Sequence, residues 1–279
     1  NGRKISISAI HDLKQAMDVC GTGGDGLKTF NISTISSFVI AAAGGFVAKH
    51  GNRAVSSQAG SSDLMEALGI KIDIPYKSMH GALQKCGLGY FHAPFYHPSF
   101  AQVQKVRREL GIRTFFNMLG PLVNPLDIHY QMIGVSNTTW LEATAEMLKK
   151  LGRTRAAVFR SSGGLDELST YESNDIFLIE KNQVQKMKLE PKKFGFHRAR
   201  IQDYKGGTLE TNKKIALGIL EGRLQGPRED AVLLNSGFAL RLTGGASSIK
   251  EGIQKSRLAV HSGRAFRVLE KLRKLTQQG

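Results

Sequence analysis

A short apolar run, Met17-Asp18-Val19-Cys20, gives way to Gly21-Thr22-Gly23-Gly24-Asp25-Gly26, and a long apolar stretch follows at residues 31–43. Strand-like residues that enter a glycine turn and leave it as a helix form a βα unit. The glycines let the turn take positive φ and bring backbone N–H groups close together. The stretch at 31–43, NISTISSFVIAAA, opens on the capping residues Asn31, Ser33 and Thr34 and turns apolar through Ile35, Phe38, Val39 and Ile40. A helix apolar nearly all round is a buried one. An interior helix following directly on a strand implies a layered α/β domain.

The remainder of the chain agrees. Residues 46–49 predict a short strand, and 62–68, 77–86 and 98–110 predict helices. From Gln131 onward, strands at 131–135, 156–160 and 175–179 alternate with a helix at 139–150, the α/β pattern. The tail predicts helices at 208–221, 227–242 and 249–275, broken near Gly263. At 279 residues the chain holds one large domain, with or without a small partner.

Lys and Arg outnumber Asp and Glu by 39 to 23, a formal charge of +16. Such a surplus points to an anionic partner, a phosphorylated small molecule or nucleic acid, or simply to a soluble basic surface. Cys20 and Cys86 are the two cysteines, and they form neither a metal spacing nor a disulfide framework. No apolar run is long enough to span a membrane and no secretory signal is recognisable, so a cytoplasmic protein is expected. The first residue is Asn, so an N-terminal segment is expected to be missing.

Several segments carry candidate chemistry. The glycine loop, with Lys28, Thr29, Asn31, Ser33 and Thr34 after it, offers backbone and side-chain donors at a helix N-terminus, a cradle suited to diphosphate. Its spacing is neither the Walker loop nor the dinucleotide fingerprint, and a plain βα turn is the alternative. Lys49-His50-Gly51-Asn52-Arg53-Ala54-Val55-Ser56-Ser57 combines two cations with two serines and suits phosphate, or forms a solvated loop. His50 is either a general base or a hydrogen-bonded structural residue.

Gly163-Gly164-Leu165-Asp166-Glu167 sets adjacent carboxylates after a turn. That arrangement suits Mg²⁺, which takes one or two carboxylates plus substrate phosphates, or else it is an acidic helix N-terminus. On the expected helix at 98–110, Phe100, Val103, Val106 and Leu110 share a face. Arg107 lies roughly 45° from the centre of that face and Arg108 roughly 145°. An inward Arg107 needs a partner, either a substrate carboxylate or an internal acid. Finally, Arg113-Thr114-Phe115-Phe116-Asn117-Met118-Leu119-Gly120-Pro121-Leu122-Val123-Asn124-Pro125 reads as a short helix followed by proline turns, a hinge or the wall of an aromatic pocket.

Taken in this order, the glycine loop with NIST, KHGNRAVSS, the Arg107 helix, RTFFNMLGPLVNP and GLDEL resemble the anthranilate phosphoribosyltransferase family from about residue 17 to the C-terminus. The resemblance implies transfer of the phosphoribosyl group of phosphoribosyl diphosphate to anthranilate, a step of tryptophan biosynthesis, with Mg²⁺ as cofactor. It implies a large α/β domain (17–95 and 126–279) with a central, mostly parallel sheet flanked by helices. A small helical domain is represented by 96–125 and by a remnant at 1–16, because the family carries a longer N-terminal helical bundle. A homodimer is expected for the full-length family, with no membrane association and no nucleic acid.

By resemblance, Gly21, Gly24, Asp25, Thr29, Asn31, Ile32, Ser33, Thr34, Lys49, His50, Gly51, Asn52, Arg53, Ala54, Val55, Ser56, Ser57 and Ser61 hold phosphoribosyl diphosphate. Gly21, Asn52, Arg107, Gly120 and Pro121 meet anthranilate, and Ser33, Asp166 and Glu167 hold the metal. No residue is expected to act as a covalent or proton-transfer catalyst, since catalysis is positioning plus electrostatics. The alternatives are a pyrimidine-nucleoside phosphorylase and a non-catalytic nucleic-acid-binding relative, the latter motivated by the charge.

Overall fold

The computed structural model describes residues 15–54, 59–98, 116–196 and 199–278, of 116–118 the backbone only. Seven strands form one sheet in the order β3-β2-β1-β4-β5-β6-β7. They are β1 (Met17–Gly21), β2 (Val47–Gly51), β3 (Leu88–His92), β4 (Tyr130–Gly134), β5 (Arg155–Ser161), β6 (Asn174–Glu180) and β7 (Gln183–Leu189). The first five run parallel, while β6 and β7 return antiparallel. The β6–β7 hairpin turns on Lys181 and Asn182, both at positive φ, the conformation that matches the sheet's own twist.

Alternation along β5 shows how the layers arise. Ala157 and Phe159 join the larger core, and Ala156 and Val158 join a smaller one on the opposite face with Leu141, Ala145 and Leu148. Those last three lie on a single helix, Trp140–Lys150. On the larger face, α1 (Ile32–Ala42) lies between the sheet and two C-terminal helices, Pro227–Thr243 and Arg264–Gln277. The Pro227–Thr243 helix is buried through most of its length and carries no apolar stripe, as befits a helix surrounded by protein. The break expected near Gly263 is there: Ile249–His261 ends, Gly263 takes φ 70°, and Arg264–Gln277 begins.

Strand order fixes where a ligand can enter. From β1 the chain proceeds to β2 and β3 on one side, then crosses to β4 on the other. Loops leaving the carboxyl ends of β1 and β4 therefore diverge and leave a crevice, the usual ligand position in such sheets. The glycine loop leaves β1 at that point. Two strands were not expected. β3 follows Gly87 directly after a helix (Tyr76–Cys86), and β7 is a mostly exposed edge strand, QVQKMKL, with little apolar alternation.

Candidate active site

The glycine loop turns on Gly23, Gly24 and Gly26, at φ 68°, 75° and 76°. Asp25 folds back so that its Oδ1 accepts the Leu27 N–H at 2.9 Å, and its buried Oδ2 has no partner. Thr29 bridges to Lys205 through the backbone. Asn31 stands at the N-cap of α1 without capping it, and its Nδ2 instead donates to the Ala59 carbonyl at 3.2 Å. Ile32 and Thr34 are buried in the first turn of the helix.

The acid pair lies in an irregular connection between β5 and β6, not on a helix N-terminus. Asp166 Oδ2 accepts the Gly23 N–H at 2.7 Å, and Glu167 Oε1 accepts the Ser33 N–H at 3.1 Å. One carboxylate thus meets the glycine loop and the other meets the positive end of α1. The connection reaches this place because two glycines lie beneath it. Gly21 and Gly134 are register partners across β1 and β4. A Cβ on Gly134 would stand 1.6 Å from the Asp166 carbonyl oxygen, and one on Gly21 2.5 Å from Asp166 Oδ2. A glycine ending an apolar strand is a signal of close backbone approach.

Burial, with the negative charges of Asp25 and Glu167, pushes the Asp166 carboxyl well above the usual range. Burial raises Glu167 to about 7 against the Lys49 ammonium and the Ser33 donors. Acids desolvated this way await positive charge.

Lys49 is fully buried. Its Nζ donates to the Val19 carbonyl at 2.6 Å and to Ser33 Oγ at 3.3 Å. Burial lowers its pKa while Asp18 and Glu167 hold it up. Asp18, raised to about 6 by burial, accepts the His50 N–H at 3.1 Å. The Lys49 cation thus sits beneath the crevice, bonded to the Val19 carbonyl and the Ser33 hydroxyl, and its charge is felt by Asp18 and Glu167. His50 Nδ1 donates to the Gly120 carbonyl at 3.1 Å, and burial lowers its pKa to about 3, so the ring is neutral.

Beyond Gly51 the chain is tied to α2 (Ser61–Ala67). Ser61 Oγ and the Ser62 N–H donate to the Asn52 carbonyl, and Ser61 Oγ meets the Tyr90 hydroxyl at 2.8 Å. The Asn52 side chain accepts the Arg53 N–H at 2.7 Å, Arg53 pairs with Glu66 and Asp63, and the Ala54 N–H donates to Asp63. Pro121 lies inside a short helix, Phe116–Leu122, and its carbonyl takes Gln131 Nε2 at 2.5 Å. The structure therefore gathers Gly21, Gly23, Asp25, Ser33, Lys49, Asp166 and Glu167 into one cluster, with His50 and Gly120 beside it. Val55, Ser56, Ser57 and Arg107 lie outside the described residues.

Among the described residues, no three His, Cys, Asp or Glu side chains stand together as a ready metal cage. The donor set still fits a hard cation. Asp166 and Glu167 supply buried oxygens, Asp25 Oδ2 is buried and unpartnered, and Ser33 adds a hydroxyl. Two carboxylates completed by substrate phosphates are what Mg²⁺ takes.

A mostly parallel α/β sheet with a glycine loop at its switch point and buried acids beside it is a site for an anionic ligand with a cation. The family described as glycosyl transferase family, a/b domain, matches residues 13–266. Anthranilate phosphoribosyltransferase of Persephonella marina is 44% identical over 270 residues, covering 97% of this chain and 80% of the relative. That of Bacillus mycoides is 43% identical, covering 97% and 79%. The crystal structure of the Thermus thermophilus enzyme superposes with a TM-score of 0.89 at 40% identity, covering 94% of this chain and 78% of that one. The Saccharomyces cerevisiae enzyme, in complex with phosphoribosyl diphosphate and Mg, superposes at 0.89 and 29% identity, covering 96% and 75%. The chain belongs to the anthranilate phosphoribosyltransferase family.

Proposed function

We propose that the crevice at the carboxyl ends of β1 and β4 is where this enzyme transfers a 5-phosphoribosyl group from phosphoribosyl diphosphate to anthranilate, releasing diphosphate. The carrying observation is the placement of Asp166 and Glu167, buried and fastened to the glycine loop and to the start of α1. Such acids are of use there only if a cation joins them to an anionic ligand. Mg²⁺ bound by Asp166, Glu167 and Ser33 would neutralise charge on the departing diphosphate. The Saccharomyces cerevisiae relative solved with phosphoribosyl diphosphate and Mg supports that choice.

This chain's own residues do the remaining work. N–H groups of the glycine loop and of 49–54, with Val55, Ser56, Ser57 and Ser61, surround the diphosphate and ribose. Lys49 stabilises the acids from below, and neutral His50 contributes shape and hydrogen bonding rather than charge. The anthranilate amine needs no strong base, so rate comes from holding the reactants together and from preorganised charge. Asn52, Arg107, Gly120 and Pro121 form the anthranilate side, Arg107 pairing with its carboxylate. Residues 96–125, of which 99–115 lie outside the described residues, are assigned to a small helical domain beside the α/β domain, 17–95 and 126–279.

A homodimer and a cytoplasmic location complete the reading. The location is supported by two free, buried cysteines, and no helix among the described residues is long and apolar enough to cross a membrane. The test is the fluorescence of anthranilate, which falls on adding phosphoribosyl diphosphate with Mg²⁺. Unchanged fluorescence, or phosphorolysis of thymidine or uridine instead, overturns the proposal.

A further inference from the structure

Residues 166–170 form neither helix nor strand, yet side chains from three other elements grip their backbone at successive positions. Asn235, in mid-course of the Pro227–Thr243 helix, donates Nδ2 to the Leu168 carbonyl at 2.7 Å and accepts the Leu168 N–H at 3.2 Å. Asn174, first in β6, does the same to Ser169, accepting its N–H at 2.9 Å and donating to its carbonyl at 3.0 Å. The Tyr204 hydroxyl accepts the Thr170 N–H at 2.9 Å and bonds Thr170 Oγ1 at 2.6 Å. All three holding side chains are buried.

A side-chain amide that donates to and accepts from one residue takes the place of a strand partner. It fixes that residue's orientation as well as its position. Asn235 is one of three buried polar residues on its helix, with Glu229 and Ser236. Around it Ala231, Val232, Leu233, Leu234, Phe238 and Ala239 are buried and apolar, and the adjacent Ser236 turns its hydroxyl to the Ser36 carbonyl instead. Asn is a weaker helix former than Ala or Leu and is costly to bury unpaired. Its contacts account for its presence: apart from a bond back to the Ala231 carbonyl, its polar atoms are spent on Leu168, the residue after Glu167. It also lines, with Glu167, Ser33 and Ser36, a cavity about the size of one water. A loosely held connection would let the two carboxylates drift apart and so weaken a cation site built from them.

We propose that Asn235 is a positioning residue for the metal pair, locking Leu168 so that Glu167 and Asp166 stay converged in the crevice. Asn174 extends the lock to Ser169. This rests on the metal assignment made above. It adds that the affinity for the cation depends on a helix that acts on the acid pair through the Leu168 backbone.

The test is Mn²⁺ binding to the full chain with inorganic diphosphate present, read as the loss of the free-Mn²⁺ electron paramagnetic resonance signal. Wild type should bind Mn²⁺ and Asp166→Asn should not; a wild type that fails to bind overturns the metal assignment itself. Given binding, Asn235→Ala and Asn174→Ala should each weaken Mn²⁺ by about 10-fold or more, the usual effect of removing groups that orient metal ligands. The KM for anthranilate should stay within about twofold, a split that general destabilisation does not give. Ala suits mid-helix, so Asn235→Ala should fold. If circular dichroism shows otherwise, Asn174→Ala decides. Mn²⁺ affinity within about twofold of wild type in a folded variant overturns the proposal.

Discussion

Gly134 is the position where one methyl group should do the most damage. It ends β4, pairs with Gly21 in register, and gives its carbonyl to the Thr22 N–H at 2.9 Å, so the strand beneath is held. In Gly134→Ala the new Cβ would fall 1.6 Å from the Asp166 carbonyl oxygen and 2.4 Å from its carbon. A carbon–oxygen contact needs about 3.3 Å, so the connection carrying the acid pair must retreat by roughly 1.7 Å. Overpacking of this kind costs about 1–3 kcal/mol of stability. A misplacement near 1 Å at a reacting centre costs about 100-fold in rate. The expected outcome is a folded protein whose kcat/KM for phosphoribosyl diphosphate falls by at least about 100-fold, followed by anthranilate fluorescence. Gly81→Ala is the control. It lies inside the Tyr76–Cys86 helix with nothing within 4 Å of the added carbon, and it should be neutral or stabilising by about 0.5–1 kcal/mol. A folded Gly134→Ala enzyme with near wild-type turnover would refute the seating of the acid pair on this glycine.

Lys49→Met leaves the buried Val19 carbonyl and Ser33 hydroxyl without their donor, which should cost about 1–3 kcal/mol in denaturant unfolding; an unchanged stability contradicts the role given to Lys49. Glu167, raised to about 7, and Asp166, raised well above the usual carboxylate range, bind protons more tightly in the folded than in the unfolded chain. The metal-free protein therefore loses stability as pH climbs from the ordinary carboxylate range through 7. Mg²⁺ with diphosphate must displace those protons, so its gain in Tm should be small at pH 5.5 and larger at pH 8; a pH-independent gain contradicts the assignment. Arg107→Ala should raise the KM for anthranilate far more than that for phosphoribosyl diphosphate, and equal losses in steady-state kinetics would remove Arg107 from the acceptor side.

Much of the fold is legible where the local pattern decides the outcome. Glycine turn, capped apolar helix and alternating strands place β1, α1, β4, β5 and β6 with small shifts at their ends. β7 escapes because an edge strand need not be apolar: of QVQKMKL only Leu189 is buried. β3 escapes because its five buried residues, LGYFH, follow a helix stop without a linker. At the site, motif reading reaches the acids, the loop and Ser33. It does not reach the features set by pairing across the sheet. Gly134 acquires its meaning from lying opposite Gly21, and Asn235 from meeting Leu168 across 67 positions of sequence. The interior course of Lys49 is likewise a matter of register: it stands beside Val19 and beneath Ser33, which no local periodicity encodes.

The most direct measurement is an anomalous difference map from crystals grown with Mn²⁺ and phosphoribosyl diphosphate. The expected result is a peak at coordination distance from the carboxylates of Asp166 and Glu167, with the diphosphate lying along the loop at Gly23 and Gly24. A peak elsewhere, with Asp166 still bonded only to Gly23 and Glu167 only to Ser33, would contradict the account.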